Sequence, residues 1–292
     1  MRKIAVFGKG GIGKSTLTSN LAAAYAARGL RVLLVGCDPK HDTTVALTEG
    51  DPIRTAVEHS AFMDNSGGEA AGLVVRGRLG VDCVEAGGPE PGIGCAGRGI
   101  GRMITMLEGA GVLDDGRYDV AIFDVLGDVV CGGFAVPVRE GIAEHVFTVS
   151  SADFMAIYAA NNLFRGIEKF SNSGGALLGG IIANSINTDF QREIIEDFAE
   201  RTSTPIVQYV PRSMTVTQAE LSGKTTIEAA PESAQADVYR ALARTIAGHE
   251  VSRTPTPLSP TELREWSARW AEHIVRLEKA ERSGRARERE VA

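Results

Sequence analysis

Gly8-Lys9-Gly10-Gly11-Ile12-Gly13-Lys14-Ser15 decides the fold, because it matches the phosphate-binding pattern G-x-x-x-x-G-K-[ST] near the start of the chain. Glycines let successive backbone N–H groups curl round a phosphate, the lysine meets the outer phosphates, and the hydroxyl of Ser15 reaches a magnesium ion. The flanks support that reading. Ile4-Ala5-Val6-Phe7 has the composition of a short buried strand, and Ser15 to Ala27 continues as a helix with apolar positions at Leu17, Leu21, Ala24 and Tyr25. Strand, glycine loop and helix N-terminus together place a helix dipole under an anion. Thr16, in the first helical turn, joins the nucleotide-binding set.

Lys9 adds to the loop. A second lysine directly after the first glycine resembles the signature-lysine branch of P-loop ATPases, in which that side chain crosses a dimer interface to the partner's nucleotide. Its bland alternative is a solvated loop lysine.

Composition narrows the field. The 292 residues are 43% hydrophobic and carry a formal net charge of −6, which argues against nucleic acid as a partner. No apolar run approaches the ~20 residues of a membrane helix, and an early first strand leaves no room for a signal peptide. A cytoplasmic chain is expected, whose four cysteines act as thiols or metal ligands rather than disulfides. Strands alternating with helices predict an α/β fold with a doubly wound, mostly parallel sheet over residues 1–250. Residues 251–292 read as a proline-rich linker, a helix and a charged disordered tail from Arg282. Ser259-Pro260-Thr261-Glu262 has the form of a capping box. The stripe that follows (Leu263, Trp266, Trp270, Ile274, Leu277) suits a strap packed on the body or on a second subunit better than a membrane surface, since glutamates interrupt its basic face.

Further along, a strand from Arg31 to Val35 runs into Gly36-Cys37-Asp38-Pro39-Lys40-His41-Asp42-Thr43-Thr44. Carboxylates just past a strand's C-terminal end lie on the ligand-binding edge of α/β sheets. Asp38 and Asp42 are therefore candidates for the magnesium shell and the attacking water, with a helix N-cap as the alternative for Asp42. Asp51 to Leu79 carries no usable motif. A strand at Val81–Ala86 leads to a glycine-rich loop, Gly87 to Gly99, and then a helix from about Ile100. Tyr118 to Phe123 is an apolar strand closed by Asp124, as in the second half of a P-loop ATPase site. Gly127 is placed to offer its N–H to a γ-phosphate, and Asp128 to orient or deprotonate water. Asn184, Pro211 and Arg212, at later strand ends, are candidates for a purine pocket, together with Gln218, Gln235 and Tyr239.

Cys37 and Cys83 adjoin apolar strand residues and read as buried thiols. Cys95 and Cys131 lie in loops crowded with glycine, whose N–H donors stabilise the thiolate ligands of an iron–sulfur cluster. Two ligands do not complete a cubane, but a two-fold dimer would supply four. A tetrahedral zinc on the same thiolates is the alternative. The seven-residue step from Asp124 to Cys131 spans at most roughly 23–25 Å. One segment would thus touch the γ-phosphate at one end and a metal ligand at the other, coupling hydrolysis to electron delivery.

Taken together, these stretches resemble the nitrogenase iron protein (dinitrogenase reductase) family. The resemblance rests on Gly8–Ser15, GCDPK at Gly36–Lys40, GGPEPGIGCAGRG at Gly87–Gly99, DVLGDVVCGGFA at Asp124–Ala135 and YAANN at Tyr158–Asn162. It implies a homodimer with one 4Fe-4S cluster between subunits, held by Cys95 and Cys131 of each, and MgATP in each subunit. It further implies transient docking on a larger nitrogenase-like catalytic component, with low-potential ferredoxin or flavodoxin as electron source. Arg98 would lie on the docking face, where some relatives are ADP-ribosylated. The family's nitrogenase members usually show alanine after GCDPK and an arginine shortly beyond, where this chain has His41 and Val45. GCDPKHD looks more like the dark-operative protochlorophyllide reductases, which lack an arginine at the place of Arg98. The mixture points to a nitrogenase-like reductase outside both groups, with a methylthio-alkane reductase as first client and nitrogenase as second. Partitioning ATPases, which share the loop but need no cysteine pair, form the competing class.

Overall fold

The computed structural model describes residues 1–59, 72–88, 97–127, 142–171 and 175–291, excepting the side chains of Arg98 and of 278–291. The chain divides into two compact units, Met1–Thr256 and Pro257–Ala292.

In the first unit, β1 (Arg2–Gly8) is followed by α1 (Lys14–Ala26) and β2 (Val32–Cys37). Then come β3 (Val75–Arg76), β4 (Asp82–Glu85), α2 (Gly97–Gly109) and β5 (Val120–Leu126). The second half holds β6 (His145–Ser150), α3 (Phe154–Ser171), β7 (Leu177–Asn184), α4 (Asp189–Arg201) and β8 (Ile206–Val210). Three helices close the unit: α5 (Met214–Leu221), α6 (Thr226–Ala229) and α7 (Ala234–Ala247). The sheet order is β3-β4-β2-β5-β1-β6-β7-β8, parallel except for the short β3 at the edge. The expected doubly wound α/β fold is therefore present. Sequence reading misses the two-residue β3, which is too short to show a period, and the three helices α5, α6 and α7 that close the unit.

Central strands of such a sheet are covered on both faces, so their sequences are almost wholly apolar. Ile4 and Val6 pack on one side with Leu17, Leu21 and Tyr25 of α1, Leu34 of β2, Ile122 of β5 and Leu242 of α7. Ala5 and Phe7, turned to the other face, are equally sealed. β1 lies between β5 and β6, where successive crossovers diverge to opposite sides of the sheet. A crevice opens at the C-terminal end of such a strand, and there ligands bind. The register carries one more consequence. Glu85 pairs with Gly36, Gly36 with Asp124 and Asp124 with Val6, so two acids share one rung on the α1 face, either side of a glycine.

In the second unit, α8 (Pro260–Val291) starts with the expected capping box: Glu262 N donates to Ser259 Oγ at 3.3 Å, and Ser259 N to Glu262 Oε2 at 2.7 Å. The helix continues through the stretch from Arg282 that sequence reading left as a disordered tail. Arg, Glu and Ala, which dominate that stretch, are good helix formers, so a charged composition does not by itself end a helix.

Candidate functional site

The loop between β1 and α1 turns on Gly11 (φ 78°) and Gly13 (φ 86°), both in the left-handed region that side-chain-bearing residues avoid. That geometry curls the backbone over the N-terminus of α1. The loop borders a cleft of about 500 Å³, lined by Lys9, Gly10, Gly11, Ile12, Gly13, Lys14, Ser15 and Thr16. Asp38, Asp42, Asn184, Pro211, Arg212 and Tyr239 complete much of the rim. The structure thus brings residues from β1, β2, β7, β8 and α7 to one place, as the sheet topology requires.

Beneath the cleft, Lys14 Nζ donates to Asp124 Oδ1 at 2.5 Å, with the two side chains 5% and 0% exposed. Thr43 Oγ1 donates to Asp124 Oδ2 at 2.8 Å, and Ser19 Oγ of α1 to the Thr43 carbonyl at 2.6 Å. Asp124 is thereby fixed between loop lysine and the segment that follows β2. Asp38 is buried and accepts from the Lys40 N–H at 2.9 Å, an Asx turn that orients its other carboxylate oxygen. Asp42 is exposed at the rim and caps no helix, since the next helical turn, Val45–Leu47, begins after Thr44.

Three candidates stand apart from the cleft lining. The Gly127 N–H donates to the Gly8 carbonyl at 2.8 Å and extends the β1–β5 pairing by one residue. Gln218 is exposed and absent from the cleft lining; α5 turns Val216, Thr217 and Glu220 inward instead, the i, i+1, i+4 positions of one face. Gln235 also stands back from the lining; it is buried beside Tyr239, and its Nε2 lacks a hydrogen-bond partner. Burial pushes the Tyr239 hydroxyl up to about 12, so it stays a neutral donor at the cleft wall. Asn184 lines the cleft while its amide donates to the Ile12 carbonyl at 2.6 Å, latching the phosphate loop.

Sequence reasoning missed other supports. Asn187 braces the Arg212 backbone in both directions, donating to its carbonyl at 3.1 Å and accepting from its N–H at 2.9 Å. Thr16 Oγ1 donates to Glu220 Oε1, a contact between elements far apart in sequence. No local pattern announces either. Glu85 is different. It is an acid at the C-terminal end of a strand, on the ligand-binding edge of the sheet, and that placement was readable in the sequence.

Cys95, Cys131 and Asp128 lie outside the described residues, as does the Arg98 side chain; the Arg98 backbone is in the first turn of α2. The donor chemistry is nevertheless informative. Cys37 and Cys83 are buried free thiols, and burial raises both, Cys83 to about 12. Among the described residues no group of three or more His, Cys, Asp or Glu could hold a metal. Cys95 and Cys131 are the two cysteines that the sequence places in glycine-rich loops, the expected setting of iron–sulfur ligands.

Residues 2–272 match the family described as 4Fe-4S iron sulfur cluster binding proteins, NifH/frxC family. The chain is 56% identical over 278 residues to nitrogenase iron protein 2 of Paenibacillus durus, covering 95% of this chain and 94% of that one. The cell division ATPase MinD of Pyrococcus furiosus superposes with a TM-score of 0.64 over 84% of this chain and 98% of its own, at 21% identity. A ParA family ATPase from Chlorobium tepidum gives 0.64 over 83% and 97%, at 20% identity. At such identities the two solved structures share the fold alone.

Proposed function

Because the chain belongs to the NifH/frxC family of 4Fe-4S cluster-binding proteins, we propose that it is the ATP-dependent electron donor of a two-component reductase whose client is a nitrogenase-like methylthio-alkane reductase. The coarser part holds for the family: a homodimer with a 4Fe-4S cluster at its interface and MgATP in its subunits, hydrolysing ATP to pass electrons to a catalytic partner. The cluster, when bound, supplies a one-electron couple.

The chain's own residues do the rest. Backbone N–H groups of Gly10 to Gly13 cradle the phosphates, Lys14 meets the outer ones, and Ser15 holds magnesium. Asp38 and Asp128 position the attacking water, and Lys9 reaches the partner's nucleotide. Asn184, Pro211, Arg212 and Tyr239 form the base pocket. Arg98 lies on the docking face, ferredoxin or flavodoxin supplies electrons, and the protein works in the cytoplasm without membrane or nucleic acid. Among the described residues no helix is long and apolar enough to cross a membrane.

One observation carries the coupling. Asp124, buried and tied to both Lys14 and Thr43, stands in the strand whose chain continues to Cys131. Movement of the lysine or of Thr43 toward a nucleotide must therefore change the constraint on the cluster-bearing segment. Iron release to a chelator from anaerobically purified protein should accelerate markedly with MgATP, and Cys131→Ser should abolish nucleotide-dependent electron transfer. Equal release rates with and without MgATP would make the cluster structural.

His41 and Val45 favour the methylthio-alkane client. The 56% identity to a nitrogenase iron protein favours nitrogenase as a second reading. Anaerobic mixing with each purified catalytic component separates them: turnover of a methylthio-alkane is expected, and reduction of dinitrogen alone would replace the first client by the second.

A further inference from the structure

Glu85 is wholly buried at the end of β4, yet it belongs to no part of the nucleotide-binding set. Its Oε1 accepts from the Thr44 N–H at 2.8 Å and from the Thr44 hydroxyl at 2.9 Å. Its Oε2 has no hydrogen-bond partner. The carboxyl reaches Thr44 by crossing strand β2 at Gly36, where a Cβ would stand 1.9 Å from Oε2. Gly36 is therefore the opening through which an acid on β4 touches the segment following β2.

Threonines 43 and 44 are thus gripped by different strands. Thr43 is held by Asp124 on β5, and Thr44 by Glu85 on β4. The two grips lead to different cysteines. β5 continues to Cys131, and β4 continues through Ala86 and Gly87 to Cys95, ten residues after Glu85. Ala86 is itself anchored, its N–H donating to the Gly36 carbonyl at 2.8 Å. A buried carboxyl with one unpaired oxygen is costly to keep unless it does something for the protein.

We infer that Glu85 is a positioning residue forming a second mechanical link, which passes displacement of the Asp42–Thr44 segment through β4 to the chain that carries Cys95. The link rests on the reading under Proposed function. It deepens it by making both cysteines of each subunit answer to the nucleotide, one through Asp124 and one through Glu85. Glu85 itself touches neither nucleotide nor cluster.

The test uses the anaerobically purified, cluster-containing dimer with 2,2′-bipyridyl as chelator, and measures iron release with and without MgATP beside equilibrium MgATP affinity. In Glu85→Ala, affinity and iron content should stay within about twofold of wild type, while the MgATP acceleration falls roughly tenfold, the effect of losing two hydrogen bonds. Glu85→Gln keeps a carbonyl oxygen for both Thr44 donors and should restore the acceleration. Thr44→Val, which leaves β4 untouched, should lower it roughly fivefold for one lost bond and serves if Glu85→Ala does not fold. Wild-type acceleration in both Glu85→Ala and Thr44→Val, or a loss in Glu85→Gln as deep as in Glu85→Ala, would overturn the link. No acceleration in the wild type would instead defeat the coupling itself.

Discussion

Two buried carboxyls, on the strands either side of β2, meet different partners. Asp124 faces the Lys14 ammonium and the Thr43 hydroxyl. Glu85 has only neutral donors from Thr44, and burial pushes its carboxyl up to about 8 against the opposing effect of those bonds, with repulsion from Asp124 and Asp42 adding to the rise. The folded protein thus holds a proton that the unfolded chain releases near the ordinary value of 4.5. That contribution to stability is fully present below this value and is lost as pH rises through about 8. The loss runs at about 1.4 kcal/mol for each pH unit crossed between the two values. Glu85→Gln removes the titration. Its melting temperature should gain on wild type between pH 6 and pH 9, and a difference that stays constant with pH would show Glu85 ionised throughout.

At the scale of elements, the junction of β5 with the phosphate loop is a close backbone-to-backbone contact. A Cβ on Gly127 would stand 2.4 Å from the Gly8 carbonyl carbon, with backbone on every near side. No rotamer relieves such a clash, so Gly127→Ala must push β5 away from the loop or break the Gly127–Gly8 hydrogen bond. Destabilisation of at least 1–3 kcal/mol is expected from overpacking of this kind, seen as a lower unfolding midpoint. Gly10→Ala is the control, because nothing lies within 4 Å of a Cβ there; equal midpoints for the two variants would show the junction to be slack. In this structure strand pairing engages the Gly127 N–H expected to serve a phosphate. Gln218 failed because a short helix presents one face to the cleft, and which face depends on where the helix begins. Ser213 sets that start by capping α5, its side chain accepting from the Thr215 N–H.

For the whole molecule, the cleft of one chain contains its own Lys14, whereas the proposed role of Lys9 is exerted across the dimer. Lys9 lines its own cleft, and no hydrogen bond or ion pair holds its ammonium among the described residues. If Lys9 serves the opposite subunit, Lys9→Ala should leave MgATP binding nearly intact and lower hydrolysis by a factor on the order of 10³, as for other cations supplied in trans. Heterodimers carrying one Lys9→Ala subunit should keep about half of the sites active, and full activity in the homodimeric variant would confine Lys9 to a solvated role.

Sequence alone determined the elements and the chemistry that is local to them. Gly8 to Ser15 specifies a phosphate loop because left-handed turns need glycine, and apolar runs alternating with helical stripes specify a parallel sheet with helices on both faces. Asp124, closing such a run, was legible for the same reason. Tertiary structure decided what depends on register: that Glu85, Gly36 and Asp124 fall on one rung, that Asn187 braces Arg212, and that Glu220 meets Thr16 across the cleft. Those pairings join residues up to 204 positions apart, and no short-range pattern encodes them, because the sheet order that brings them together is set by the packing of the whole core.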